Sequence, residues 1–416
     1  MREQHTARPI RILRIVTRLN VGGPSIHVAL LSTALDPRRF ATCLVIGRPA
    51  PTEGDLSGRV EGRPEVRVIR VAALRRSIHP WSDAVAFARL LRILWVERPH
   101  VLHTHMAKAG ALGRLAGMLY NRLGPGRAAG TRAILIHTFH GHVLEGYFPL
   151  WVSRFFLIIE RWLARGTDCL IAVSPAVQRE LVDKGIGRTD QWRLIPLGMN
   201  LSVLGQLPLP NGASPARIGL VGRLVPIKNP SLFLQALGRI QGRRPELVAS
   251  GVVVGDGPLR QRLEQEAERL GLCGVLRFAG WQQDLPSVYE VLEIVCLTSW
   301  NEGTPVSLIE AMAAGRAVVA TDVGGIRDLL EASTEEVRAP IAAGAYRIAH
   351  RGLIVRAGDP EGLASALEAL ASDAVLRRTL GEAARTHAVR AFRQERLLHD
   401  ITALYEGLLT ETPCRS

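Results

Sequence analysis

"EIVCLTSWNEGTPVSLIEAMAAGRAVVATD", residues 293–322, holds two apolar runs of strand character, Ile294 to Leu297 and Ala317 to Ala320, with a helix-forming stretch between them. This is a strand, helix, strand unit. In its middle, Thr304 suits the N-cap, Pro305 the first helical turn and Gly315 the C-terminal stop. Two glutamates eight positions apart interrupt an otherwise apolar segment, and no basic residue follows until Arg316. On this reading Glu302 lies in the loop leaving the carboxyl end of the first strand. Glu310 lies about two turns into the helix, roughly 80° around its axis from the phase of Glu302. Parallel sheets bind ligands at that edge. The spacing alone equally suits a carboxylate favoured by the helix dipole together with a solvated glutamate.

The same alternation extends in both directions. At 416 residues the chain exceeds the size at which one core keeps growing, so two domains of about 200 residues are expected. Strand-like runs occur at 11–17, 42–47, 66–71, 100–105, 133–139, 168–174 and 192–197, then at 217–222, 247–255, 274–280, 293–299, 317–322 and 352–355. Amphipathic segments fill most of the gaps, the pattern of parallel α/β layers. "LGQLPLPNGASPAR", residues 204–217, is rich in Pro, Gly, Ser and Asn and reads as a linker. The expectation is therefore an α/β protein of two doubly wound domains facing across a cleft, residues 1–203 and 218–390, with a last helix over 391–416 crossing back to the first.

No run of 18 apolar residues and no secretory leader is present, which points to a protein made and kept in the cytoplasm. Cys43, Cys169, Cys273, Cys296 and Cys414 are scattered without CxxC spacing and read as buried free thiols. The formal net charge of +14 is uneven. Residues 1–200 carry 29 Lys and Arg against 14 Asp and Glu, and the remainder 23 against 24. Such asymmetry points to an anionic partner for the first half, whether a membrane surface, a phosphorylated acceptor or nucleic acid, with an arginine-rich composition as the alternative.

Four features carry chemistry. "RLNVGGPSIHVALL" (18–31) sets Gly22 and Gly23 between the first strand and its helix, where backbone N–H groups can approach a phosphate, or simply form a turn. "VGRLVPIKNP" (221–230) places Arg223 and Lys228 after the first strand of the second series, cations suited to a diphosphate or to solvent. "VVVGDGPLR" (252–260) repeats the strand, glycine turn, helix device. Histidines crowd "HTHMAKAG" (103–110) and "IHTFHGHVLEGYF" (136–148), but without HExxH or a cysteine partner they fit polar contact with a substrate better than zinc.

In this order, "GGPSIHV", "HTFHG", "AVSPAVQREL", "PLGMN", "VGRLVPIKNP", "VGDGP", "FAGWQQDLP" and "TSWNEGTPVSLIEAMAAGRAVVATDVGG" resemble the retaining family-four glycosyltransferases of the GT-B fold, over roughly residues 10–410. The resemblance implies that Glu310 binds the nucleotide ribose and that Glu302, with Gly303, Thr304 and Pro305 on its loop, faces the transferred sugar. It implies that Arg223 and Lys228 hold the diphosphate, that Gly23 offers a backbone contact, and that the backbone near Arg277 and Phe278 reads the base. His140 matches the family's active-site histidine, touching the donor sugar and not a metal. The substrate implied is a nucleotide sugar, UDP- or GDP-linked, with no cofactor and no metal. "HTFHGHVLEGYF" and "RFFLIIERWLARGTDCLIAVS" are closest to bacterial enzymes of surface-polysaccharide synthesis. That likeness implies a glycan or polyprenyl-diphosphate-linked acceptor and a peripheral place on the inner face of the cytoplasmic membrane, with no nucleic acid. Residues 150–165, "LWVSRFFLIIERWLAR", suit a membrane interface or an ordinary core helix. The competing readings are a nucleotide-sugar epimerase of the same fold and a non-catalytic scaffold at the membrane.

Overall fold

The computed structural model describes residues 9–20, 22–49, 54–124, 132–141, 150–212, 215–331 and 339–411. The chain forms two compact units, residues 1–199 with 394–416, and residues 200–393.

The first unit contains β1 (Ile10–Val16), α1 (Gly23–Thr33), β2 (Phe40–Ile46), β3 (Val66–Arg70), α2 (Pro80–Glu97), β4 (Val101–His105), α3 (Ala107–Leu123), β5 (Ile134–Phe139), α4 (Leu150–Arg165), β6 (Cys169–Ala172), α5 (Pro175–Asp183) and β7 (Trp192–Leu194). Its seven strands are parallel in the order β3-β2-β1-β4-β5-β6-β7. Central strands are buried on both faces, which explains why they read as largely apolar runs and not as alternation, with Arg14 of β1, His103 and His105 of β4 and His137 of β5 as buried polar exceptions.

The second unit contains α6 (Ser202–Gln206), β8 (Ala216–Val221), α7 (Pro230–Arg243), β9 (Val248–Val254), α8 (Arg260–Arg269), β10 (Leu276–Gly280), α9 (Leu285–Glu290), β11 (Ile294–Leu297), α10 (Val306–Ala313), β12 (Ala317–Thr321), α11 (Ile326–Leu330), β13 (Tyr346–Ala349), β14 (Gly352–Val355), α12 (Pro360–Ser372) and α13 (Ala374–Ala391). Its sheet runs β10-β9-β8-β11-β12-β14-β13. α14 (Gln394–Glu411) returns to the first unit, where Leu397, Ile401 and Tyr405 are buried in the cluster that also holds Ile12, Phe40 and Ile136.

Four expectations are corrected. The boundary falls at Met199/Asn200, not inside 204–217, because that segment is tied down at both ends. α6 buries Leu204, Ala216 opens β8, and the carbonyls of Leu207 and Pro208 accept hydrogen bonds from Arg385 and Arg316. The expected crossing helix over 391–416 starts at Gln394, α13 running on to Ala391 within the second unit. β13 was missed; it pairs antiparallel with β14 across a two-residue turn at His350 and Arg351. Of the thiols described, Cys43, Cys169 and Cys296 are buried but Cys273 is exposed, and Cys414 lies outside the described residues.

α4 resolves an open question. Trp151 (75%), Phe155 (58%), Ile158 (63%) and Trp162 (52%) are exposed along one stripe at helical spacing. The opposite side buries Leu163 and Ala164 and packs Phe156 and Leu157 against the core, while buried Glu160 pairs with Arg114 at 2.6 Å.

Candidate active site

In an open parallel sheet the strand order reverses at one place, and the loops leaving the two strands there diverge to opposite faces and open a crevice. In the second unit that place lies between β8 and β11, paired from Ile218–Ile294 to Leu220–Cys296. The loop after β8 carries Arg223 and Lys228; the loop after β11 carries Glu302, Gly303, Thr304 and Pro305, and leads into α10 with Glu310.

Lys228 Nζ lies 2.5 Å from Glu302 Oε1, and Ser299 Oγ donates to the same oxygen. Thr298 Oγ1 donates to Lys228 O at 2.9 Å, and Trp300 N to Ile227 O at 2.8 Å, stitching the two loops together. Behind them Gly324, at φ +51°, lets the chain pass so close that a Cβ there would lie 1.7 Å from Glu302 O; only glycine fits. Arg223 is half-buried, and its guanidinium makes no hydrogen bond or ion pair among the described residues. Glu310 Oε2 accepts from Tyr289 OH at 3.0 Å, and that phenol, pushed well up by burial and then by the Glu310 carboxylate, also donates to Ser307 O.

The helix start differs from expectation. α10 begins at Val306, with Pro305 at its N-cap, extended and without a side-chain cap, and Thr304 outside it. With the helix opening at Val306, Glu310 sits little more than one turn in, not two. Gly315, at φ +71°, does end the helix. Arg277 and Phe278 lie in β10, separated from β8 by β9; Arg277 is exposed and Phe278 packs on the core.

The first unit has its own reversal, between β1 and β4. Gly23 opens α1 there, with Gly22 at the N-cap accepting from Ser25 N and Ile26 N. Around this point gather His27 of α1, His105 at the end of β4 and His140 just past β5. Their rings lie 5.0 to 6.0 Å apart between centroids, and His105 Nδ1 is 3.1 Å from His140 Nε2. Burial pushes His140 down to about 3, and His27, His103 and His105 well below the usual range, so all are neutral imidazoles near pH 7. His103 is held through Nδ1 by Tyr405 OH (2.7 Å) and through Nε2 by Thr138 Oγ1 (2.7 Å), and Tyr405 OH also accepts from buried Arg14.

Within the second unit, then, the structure brings Lys228 and Glu302 into contact and sets Arg223 on the neighbouring turn. Tyr289 lies outside every quoted motif, and Ser299, inside one, is not marked by it; each acts only through the carboxylate it touches. His27, although inside the quoted "GGPSIHV", escaped because its partners His105 and His140 come from other elements, and Arg14 because it meets His103 only across the β1–β4 register.

The glycosyl transferases group 1 family matches residues 215–373, and the glycosyl transferase 4-like domain matches residues 22–198. A UDP-Gal:alpha-D-GlcNAc-diphosphoundecaprenol alpha-1,3-galactosyltransferase of Escherichia coli is 27% identical over 270 residues, covering 62% of this chain and 67% of that protein. A D-inositol 3-phosphate glycosyltransferase of Corynebacterium jeikeium is 26% identical, covering 94% and 92%. Among solved structures, Anabaena HepE in complex with UDP and glucose superposes with a TM-score of 0.73 at 19% identity, over 96% of this chain and 100% of that one. Sucrose-phosphate synthase from Thermosynechococcus elongatus superposes at 0.75 and 21%, over 97% and 100%. With the two family models together matching residues 22–198 and 215–373 and the whole superposing on GT-B structures, the chain belongs to the group 1, family-four type glycosyltransferases.

Proposed function

We propose that this glycosyltransferase moves a hexose, with retention and without a metal, from a nucleoside diphosphate sugar to a glycan or polyprenyl-diphosphate-linked acceptor at an anionic membrane surface. The observation that carries the reading is the Lys228–Glu302 pair at the sheet's reversal point, with Arg223 unpaired on the neighbouring turn. In the step proposed, the bond from sugar C1 to the β-phosphate oxygen breaks and its electron pair stays on the diphosphate. The acceptor oxygen bonds to C1 from the same face, and its proton passes to the departing phosphate oxygen. Arg223 and Lys228 stabilise the charge that grows on that leaving group. Glu302 orients Lys228 and faces the sugar, Glu310 takes the ribose, and His140 and Gly23 are the further donor contacts proposed. The named substrate of the Escherichia coli relative supports a lipid diphosphate acceptor and makes UDP sugars the first donors to test.

The exposed stripe Trp151, Phe155, Ile158 and Trp162, flanked by Arg154 and Arg165, supports the membrane surface as the place of work. No helix among the described residues is long and apolar enough to cross a membrane. The test is incubation with a panel of nucleotide sugars and a polyprenyl-diphosphate sugar, with chelator present, reading released nucleotide and the product's anomeric configuration. Transfer with retained configuration at undiminished rate is expected. Inversion, or activity restored only by an added metal, overturns the corresponding part.

A further inference from the structure

Buried histidines that serve only the core have their ring nitrogens satisfied, as both nitrogens of His103 are. His27, His105 and His140 differ. Among the described residues, both nitrogens of His27, Nε2 of His105 and Nδ1 of His140 are buried without a hydrogen-bond partner, so the one contact, His105 Nδ1 to His140 Nε2, serves only two of the six ring nitrogens.

The three side chains each offer a nitrogen, and these atoms lie within 4.8 Å of one another. The 3.1 Å between His105 Nδ1 and His140 Nε2 is close to the about 3.3 Å that separates two ligand nitrogens in a tetrahedral site with bonds of about 2.0–2.1 Å. His27 can turn either nitrogen toward such a centre without giving up a hydrogen bond. The residues come from α1, from β4 and from the turn after β5, so three separate elements hold them.

We propose that His27, His105 and His140 form a binding site for a divalent transition-metal ion of the zinc class, with the fourth position open. The donor set is all imidazole, which suits zinc, cobalt, nickel or copper and excludes magnesium and calcium. A neutral imidazole has a lone pair on one ring nitrogen to give. A hydrogen bond between two imidazoles requires a shared proton; the ion replaces it.

The functional consequence rests on the proposed contact of His140 with the donor sugar. Ligation withdraws that nitrogen, so bound zinc inhibits transfer and a chelator restores it, which agrees with metal-free chemistry at the diphosphate.

The experiment uses untagged full-length protein stripped with chelator, titrated with Co2+ and then with Zn2+. Saturable uptake of one Co2+ with the visible absorption of a tetrahedral centre is expected, displaced by Zn2+ and weakened at least about tenfold in His27→Gln and in His105→Gln. If those variants fail to fold by circular dichroism, His140→Gln, at a half-buried position, takes their place with the same expectation. Absence of saturable uptake by the wild type, or unchanged affinity in a folded variant, overturns the site. Turnover is read separately: zinc that displaces the bound Co2+ but leaves transfer unchanged upholds the metal site and removes His140 from the donor contact.

Discussion

Glu310 is legible in the sequence as a polar interruption of an apolar helix, but its partner is not. Tyr289 OH bridges Glu310 and Ser307 O, so Glu310→Ala leaves that buried phenol one acceptor. The variant should lose only about 1 kcal/mol of stability by thermal unfolding, while nucleoside diphosphate affinity falls about tenfold or more by calorimetry. Unchanged affinity would remove the ribose role. Tyr289→Phe keeps the carboxylate and should weaken binding less. Arg223→Gln and Lys228→Gln should slow turnover by more than they weaken donor binding, since charge on the leaving diphosphate grows toward the transition state. Equal effects on the two would make these residues tethers only. Lys228→Gln also leaves the nearly buried Glu302 with Ser299 alone, at a cost of about 1–3 kcal/mol. Adding Glu302→Gln should recover part of that in a double-mutant cycle, whereas strict additivity would mean the pair is not coupled.

At the scale of elements, α4 is the piece whose composition was ambiguous. Aromatics and arginines at this density suit a core helix or an interfacial one, because sequence spacing tells which residues share a face and not which face is covered. Packing of Phe156, Leu157, Leu163 and Ala164 inward leaves Trp151, Phe155, Ile158 and Trp162 outward. Trp151→Ser with Trp162→Ser should therefore reduce sedimentation with anionic vesicles while leaving thermal stability nearly unchanged. An equal loss of stability would mark the stripe as part of the fold. Arg154→Glu with Arg165→Glu should act in the same direction, each cation near the surface contributing about 1 kcal/mol. Arg161 is a poorer choice, as its Nε donates to Lys184 O at 2.7 Å.

For the whole molecule, the excess of basic residues over 1–200 predicts vesicle binding that weakens with salt, as the Debye length falls from about 10 Å at 0.1 M to about 3 Å at 1 M. Full-length protein that ignores anionic vesicles at low salt would make the asymmetry compositional and a soluble acceptor the better reading. The strands of both sheets, apart from β13, stand in the sequence because strands covered on two faces are mostly apolar, and glycine and proline punctuate the connections between them. The E-x7-E loop, the cations after β8 and the glycine pair are legible for the same local reason: loops at a sheet edge are free of the apolar pattern. Burial and long-range partners decided the rest. Leu204 and Ala216 turned a presumed linker into structure, and α10 opens at Val306 with Pro305 at its N-cap. Arg14 and His103, far apart in the chain, meet opposite one another in the β1–β4 register, and Tyr405 closes over both; such pairings follow from which strand lies beside which, and no local pattern of residues encodes them.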